Sequence, residues 1–291
     1  MIILDGKKTS QEIRNEIAQE VKTIAGKGGK QPHLAAVLVG NNGASITYVN
    51  AKIRDCEEVG YKSSLVKLSE TISEKELLEE VAKLNADADV DGFIVQLPLP
   101  KHINEQKVIT AINPEKDVDG FHPENLGKMA LNLPSYLPAT PMGILDLLDR
   151  YNVETGGKHC VVVGRSHIVG LPASILMARN SYPGNATVTL THSRTTNLKE
   201  LLKDADIIIA ALGKPNFITA DMVKDGVVII DVGTTRVVDK SKKSGHRLVG
   251  DVDFANVSKK AGFITPVPGG VGPMTRVSLL KNTLMAVRKK L

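Results

Sequence analysis

Five short apolar runs limit what this chain can fold into. They are "PHLAAVLVG" (32–40), "DGFIVQLPLP" (91–100), "HCVVV" (159–163), "IIIAALGKP" (207–215) and "GVVIIDVGTT" (226–235). Each is close to continuously apolar rather than alternating, the pattern of a strand covered on both faces. Segments of helical period lie between them. Ile13, Ile17, Val21 and Ile24 mark one face of a helix over 9–25, and Ile46, Val49, Ile53 and Cys56 mark a helix over 45–60. "KSSLVKL" (62–68) alternates like a strand, and Ser73 with Glu76 forms a capping box at the start of the next helix. A further helix ends at Asn113 and Pro114. Strands alternating with helices predict an α/β fold with mainly parallel sheets.

The length of 291 residues suits two domains. Residues 113–141 carry several Pro and Gly and no sustained period, so we expect a long functional loop there, with the domain boundary near its end. A second strand–helix series follows, with a helix whose first turn holds Pro172, a strand "TVTLT" (187–191), and a helix "NLKELLKDAD". The last helix, 275–291, turns Val277, Leu280, Leu284 and Val287 to the core. With no Trp and only 3% aromatic residues, that core is built from Ile, Val, Leu and Ala.

Composition excludes several function classes. The net charge is +5, but Lys and Arg are scattered and few aromatics are present to stack bases, which argues against nucleic acid as the partner. Cys56 and Cys160 are too far apart in sequence for a disulfide framework or a metal motif, and no His motif suggests a metal, so a reducing compartment is expected. The amino terminus turns polar after four residues, unlike a signal peptide. No apolar run reaches the roughly 20 residues of a membrane span. The expectation is a cytoplasmic protein that neither crosses nor binds a membrane.

"VVVGRSHIVGLP" is a strand, a glycine turn and a helix start, the arrangement that sets a phosphate against unpaired helix N–H groups. Gly164 follows the strand and Gly170 opens the helix. The pattern departs from G-x-G-x-x-G, with Ser166 in the middle position and the last Gly one residue late. A plain tight turn is the competing reading. The next strand ends in His192, Ser193 and Arg194, where an NAD site carries a carboxylate for the ribose. Ser193, Arg194 and Arg165 suit a 2′-phosphate instead, so NADP is the expected cofactor.

Tyr48 and Lys52 lie four apart on the 45–60 helix, so their side chains can meet on one face. A solvated face is one reading, and an acid–base pair facing a cleft is the other. A Tyr-x-x-x-Lys pair with a dinucleotide turn suggests a short-chain-type NADP reductase. In that class, however, the pair follows the turn, and here it precedes Gly164 by more than a hundred residues. A non-catalytic NADP-binding module is a third reading.

"TYVNAKIRDCEEVG" (47–60), "GFIVQLPLP" (92–100), "PEKDVDGF" (114–121) and "ITPVPGGVGPMT" (264–275), with "VVGRSHIVGLP" and "HSRT", occur in this order over the whole chain. Together they closely resemble the bifunctional methylenetetrahydrofolate dehydrogenase/methenyltetrahydrofolate cyclohydrolase family. The resemblance implies two α/β domains. A folate-binding catalytic domain would span 1–140 and 274–291, with the last helix returning to it, and a Rossmann-like NADP-binding domain would span 141–273. It implies that 5,10-methylenetetrahydrofolate is oxidised with NADP and that the methenyl product is hydrolysed to 10-formyltetrahydrofolate.

The same resemblance implies the site. Lys52, Tyr48, Gln96 and Asp119 match the family's catalytic positions. Val95, Leu97, Pro268, Gly269 and Gly270 join Tyr48 and Asp119 as substrate-binding positions. The "PVPGG" loop is read as a wall of the cleft between the domains. Gly164, Arg165, Ser166, Ile168, Gly170, His192, Ser193, Arg194, Gly213 and Thr234 hold the cofactor. No metal is implied, and a homodimer is. One departure is visible: Thr234 and Thr235 stand where the family usually has Ile-Asn, so a polar side chain replaces an apolar one near the nicotinamide. The residue types suit the chemistry. A partly desolvated amine can serve as acid and base, a Gln can orient it without adding charge, and an Asp accepts from the pterin's amino and ring N–H donors.

Overall fold

The computed structural model describes residues 1–242 and 245–288. In chain order its elements are β1 (Ile2–Ile3), α1 (Gly6–Gly26), β2 (His33–Val39), α2 (Gly43–Val59), β3 (Lys62–Leu68), α3 (Glu74–Ala86), β4 (Gly92–Val95), α4 (Glu105–Ala111), α5 (Pro123–Ala130) and α6 (Ala139–Arg150). The second half adds β5 (His159–Val163), α7 (Gly170–Ala178), β6 (Thr187–Thr191), α8 (Leu198–Asp204), β7 (Ile207–Ala210), β8 (Val228–Asp231), β9 (Thr235–Val238), β10 (His246–Val249), α9 (Phe254–Val257), β11 (Phe263–Ile264) and α10 (Val271–Arg288).

The chain divides into two compact units. The first holds Gln11–Ala139 and the residues from Arg276 onward. Its sheet is parallel, in the order β3-β2-β4. All seven residues of the central strand β2 are buried, which is why "HLAAVLV" reads as an unbroken apolar run. Ala35, Val37, Val39, Phe93 and Val95 pack on Leu77 and Val81 of α3 and Val108 of α4. β3 is one of the sheet's two edge strands and, unlike β4, is mostly half-buried, which accommodates the polar residues of its alternating sequence. The carboxyl-terminal helix belongs to this unit. Val277, Leu280, Leu284 and Val287 are buried, Leu280 O accepts from Tyr61 Oη at 2.9 Å, and Asn282 Nδ2 donates to Val118 O and Leu137 O. Residues 289–291, included in the expected helix, lie outside the described residues.

The second unit holds Met1–Ser10 and Thr140–Thr275. Its six-stranded sheet runs β1-β11-β8-β7-β5-β6, with every pairing parallel. Val161, Val163, Ile208, Ala210, Ile229 and Ile264 form its core with Leu202 and Val257.

Three differences from the sequence reading have physical causes. Residues 1–10 were expected with the folate-binding domain, but Ile2 and Ile3 pair with Phe263 and Ile264 at the edge of the second sheet. A strand of two residues carries no period of its own. The loop expected over 113–141 contains α5, capped by His122 with Pro123 in its first turn, and ends at the start of α6. α5 has only eight residues, too few to show a sustained helical period. The run 91–100 is a strand only over Gly92–Val95, because Pro98 and Pro100 cannot donate to a ladder. The hairpin of β9 and β10 has no counterpart in the sequence reading.

Candidate functional site

In the first unit, α2 begins at Asn42, whose Oδ1 accepts from Ala44 N (3.0 Å) and Ser45 N (3.1 Å). It ends at Gly60 in the left-handed region. Val49 and Cys56 are buried, while Ile46 and Ile53 are half-buried. An ionic cluster anchors the helix: Arg14 of α1 reaches Glu58 (3.0 Å) and Asp55 (3.9 Å), and Arg276 of α10 reaches Asp55 (3.2 Å). Burial pushes the Asp55 carboxyl up, and Arg276 and then Arg14 pull it back down. Asn42→Ala is expected to cost about 1 kcal/mol by exposing the helix start, read as a lower unfolding midpoint in urea.

β4 ends beside β2, on the side away from β3. The chain therefore leaves β2 for one neighbour and later returns to the other. That is a topological switch point, where open α/β sheets bind ligands at their carboxyl ends. Gln96 stands there. Its backbone N–H donates to Val37 O (2.9 Å) and its Nε2 to Leu97 O (2.7 Å). This leaves Oε1 to accept from Lys52 Nζ at 3.2 Å. Val95 is buried in the strand, and Leu97 is half-buried beyond it. Tyr48, one turn before Lys52, is 42% exposed, so its ring is available to a ligand.

Asp119 completes this group. Burial raises its carboxyl above the usual carboxylate range, and the positive charge of Lys52 works against that rise. Its backbone O accepts from Ala139 N. The neighbouring Asp117, which sequence reasoning passed over, builds the loop. Its carboxylate accepts from Phe121 N (3.2 Å), His122 N (2.8 Å) and Asn125 Nδ2 (2.9 Å), and burial pushes it up to about 6. Its only sequence signal is the first Asp of "KDVDG".

In the second unit, β5 lies between β6 and β7, so its carboxyl end is also a switch point. The glycine turn starts here. A side chain at Gly170 would lie 1.9 Å from Gly164 O, so the late glycine is the one on which the turn's own carbonyl packs. Ser166 Oγ accepts from Val169 N (3.2 Å), the residue just before the helix, and so shapes the turn that leads into it. Arg165, Ser166 and Ile168 are exposed. His192 is half-buried and accepts through Nδ1 from Arg194 N (3.2 Å), which shapes the turn that exposes Ser193 and Arg194. Neither Arg165 nor Arg194 has an ion-pair partner among the described residues, so both guanidinium groups are available to a phosphate. The residues present therefore fit a dinucleotide with an extra phosphate. Gly213 sits in the loop after β7, and Thr234 is exposed after β8.

The "PVPGG" loop belongs to this second unit. Gly269 O accepts from Lys7 N (2.9 Å), Pro268 is exposed and Gly270 is buried. A cavity of about 430 Å³ is lined by Asn216, Asp231, Arg247, Phe254 and Pro266, and by none of the glycine-turn residues. No group of His, Cys, Asp or Glu suited to a metal occurs among the described residues. No helix among them is long and apolar enough to cross a membrane.

Residues 4–119 match the family described as tetrahydrofolate dehydrogenase/cyclohydrolase, catalytic domain, and residues 138–291 match its NAD(P)-binding domain. The chain is 66% identical to the bifunctional protein FolD of Cytophaga hutchinsonii over 290 residues, covering 100% of both. It is similar to the crystal structure of the bifunctional FolD dehydrogenase/cyclohydrolase from Campylobacter jejuni (TM-score 0.94, 44% identity, 100% of each chain). It is also similar to the Trypanosoma brucei enzyme complexed with NADP cofactor and inhibitor (TM-score 0.95, 37% identity, 100% of this chain and 98% of that one).

Proposed function

The chain belongs to the tetrahydrofolate dehydrogenase/cyclohydrolase family, and from that membership and its own site we infer that it oxidises 5,10-methylenetetrahydrofolate with NADP and hydrolyses the product to 10-formyltetrahydrofolate. The observation that carries the residue roles is the Lys52–Gln96 hydrogen bond at the switch point of the first sheet.

Both steps occur at one carbon, so one folate site serves both. When bound, NADP supplies the acceptor for the hydride that leaves the bridging carbon. The chain's own residues handle water and protons. Hydrolysis of the methenyl cation requires a proton to leave the attacking water and another to reach a ring nitrogen as the ring opens. Lys52 is the acid–base group for these transfers. Gln96 holds its amine through a neutral oxygen and adds no counter-charge. Tyr48 offers an exposed ring and hydroxyl one turn away to the aminobenzoyl part of the folate. Asp119 accepts from the pterin's amino and ring N–H groups. Val95, Leu97, Pro268, Gly269 and Gly270 are assigned to the substrate, and the glycine-turn residues with His192, Ser193, Arg194, Gly213 and Thr234 to the cofactor.

Asp119→Ala is expected to weaken folate binding and leave NADP binding intact, read by separate titrations. Equal folate affinity would mean that another carboxylate holds the pterin. The raised pKa of Asp119 adds a pH signature. The acceptor form is lost as pH falls, and it is lost at a higher pH than for an ordinary carboxylate. Folate affinity should therefore weaken on the acid side, and that dependence should be absent in Asp119→Ala.

The whole assignment is tested with 5,10-methylenetetrahydrofolate and NADP, following NADPH and the methenyl chromophore separately. Turnover of simple ketones without folate would favour the reductase reading, and nucleotide binding without turnover would favour the binding module. A homodimer and a cytoplasmic location complete the reading. The family resemblance supports the first, and the two free, buried cysteines are consistent with the second. Light scattering tests the dimer.

A further inference from the structure

The loop after β7 bears one of the cofactor positions, Gly213, and it abuts the glycine turn. Ala211 N donates to Val163 O (2.8 Å), and a side chain on Gly164 would lie 2.2 Å from Ala211 O. Gly213 has φ +70°, in the region that favours glycine. The backbone of this loop is held by a side chain from outside it.

That hold is the carboxylate of Asp251, which is fully buried. Oδ2 accepts from Leu212 N (2.6 Å) and Gly213 N (2.9 Å), and Oδ1 accepts from Lys214 N (2.7 Å). Three successive backbone N–H groups converge on one side chain, an anion held in a nest of amides. Asp251 is held in turn. Its own N–H donates to Asp231 Oδ1 (2.9 Å), which also accepts from Gly233 N (2.9 Å). Asp231 Oδ2 accepts from Val252 N (3.0 Å), and Asp231 N donates to Thr265 Oγ1 (2.7 Å). The loops leaving β7 and β8 are thus tied to the 250–252 segment by two carboxylates.

We propose that Asp251 is a positioning residue for the cofactor, holding the Leu212–Lys214 turn in the shape that receives the nucleotide beside the β5 glycine turn. The proposal rests on the assignment of Gly213 to the cofactor site made above. Asp251 acts through backbone amides and does not touch the reacting atoms.

Asp251→Asn tests it. Asn has the same shape but offers one acceptor oxygen and sets an NH₂ group against an N–H donor. The expected result is a Michaelis constant for NADP raised about tenfold or more, as when only about a tenth of the molecules keep the turn in the receiving shape. The maximal dehydrogenase rate at saturating NADP should stay within about threefold, and NADPH titration by fluorescence should show the same loss of affinity. A carboxylate that serves only the fold would lower the unfolding midpoint and leave the NADP constant of the folded enzyme unchanged, and that result overturns the proposal. Gly233→Ala presses on the same group from the other side, since its added Cβ would lie 2.4 Å from the Asp251 carboxyl carbon. If Asp251→Asn does not fold, Gly233→Ala decides: a raised NADP constant supports the proposal and an unchanged one overturns it. A wild-type protein that neither binds nor uses NADP would instead defeat the cofactor assignment itself.

Discussion

Lys52→Met is expected to lower cyclohydrolase turnover by about 10²- to 10⁴-fold, the range for a lost general acid or base. The substitution keeps an unbranched side chain of similar length, so the apolar contacts of the half-buried stem survive and α2 stays capped at both ends. What disappears is the amine that donates to Gln96 Oε1. Gln96 is otherwise held by Val37 O and Leu97 O, so it should stay in place and be left with an unused acceptor. Lys52→Arg should not restore the rate, because a guanidinium remains protonated and cannot serve as a base near neutral pH. The check is the decay of the methenyl chromophore, measured without cofactor alongside a thermal melt. A folded Met variant with wild-type hydrolysis would remove Lys52 from the chemistry and leave the hydrogen bond with Gln96 a structural one.

The second large effect concerns the cofactor. Arg165→Ala or Arg194→Ala should raise the Michaelis constant for NADP by tens-fold and barely change that for NAD. Losing a charge-assisted hydrogen bond costs about 1.5–3 kcal/mol, or roughly 10- to 150-fold in affinity. Both side chains are exposed and neither is committed to a carboxylate among the described residues, so a 2′-phosphate would not have to break an existing pair. Arg165 is expected to show the larger effect because it lies in the turn between Gly164 and Gly170. Exposure also makes the contact sensitive to ions, so the difference between NADP and NAD should shrink at high salt. Steady-state kinetics with both cofactors reads all of this. A wild-type preference for NAD, or equal losses for both cofactors, would make these arginines surface residues or general pyrophosphate contacts.

Much of the architecture was legible because it depends on short-range patterns. The unbroken Val/Ile/Ala runs announce strands covered on both faces, and β2, β4, β5, β7 and β8 stand where those runs are. The Ser73–Glu76 box forms as both of its reciprocal bonds. The Tyr48–Lys52 spacing places both residues on α2, and the departure from the usual glycine spacing has a local cause in the packing of Gly170 on Gly164 O. The family itself was legible from motifs scattered over the chain, and the matches at 4–119 and 138–291 show it.

Other features depend on which strands become neighbours, and no local period encodes that. Lys52 and Gln96 are 44 residues apart, and they meet because β4 joins β2 on the side away from β3. The pairing of Ile2 and Ile3 with Phe263 and Ile264 moves the first ten residues into the second unit, although a two-residue strand has no pattern to read. Asp251 looks in sequence like any acidic residue in a loop. Its role follows from three amides 37 to 39 residues earlier that converge on its buried carboxylate. Residue type and spacing therefore determined the elements and the chemistry available on each, while sheet order and the need to pair every buried polar group decided which of those groups meet.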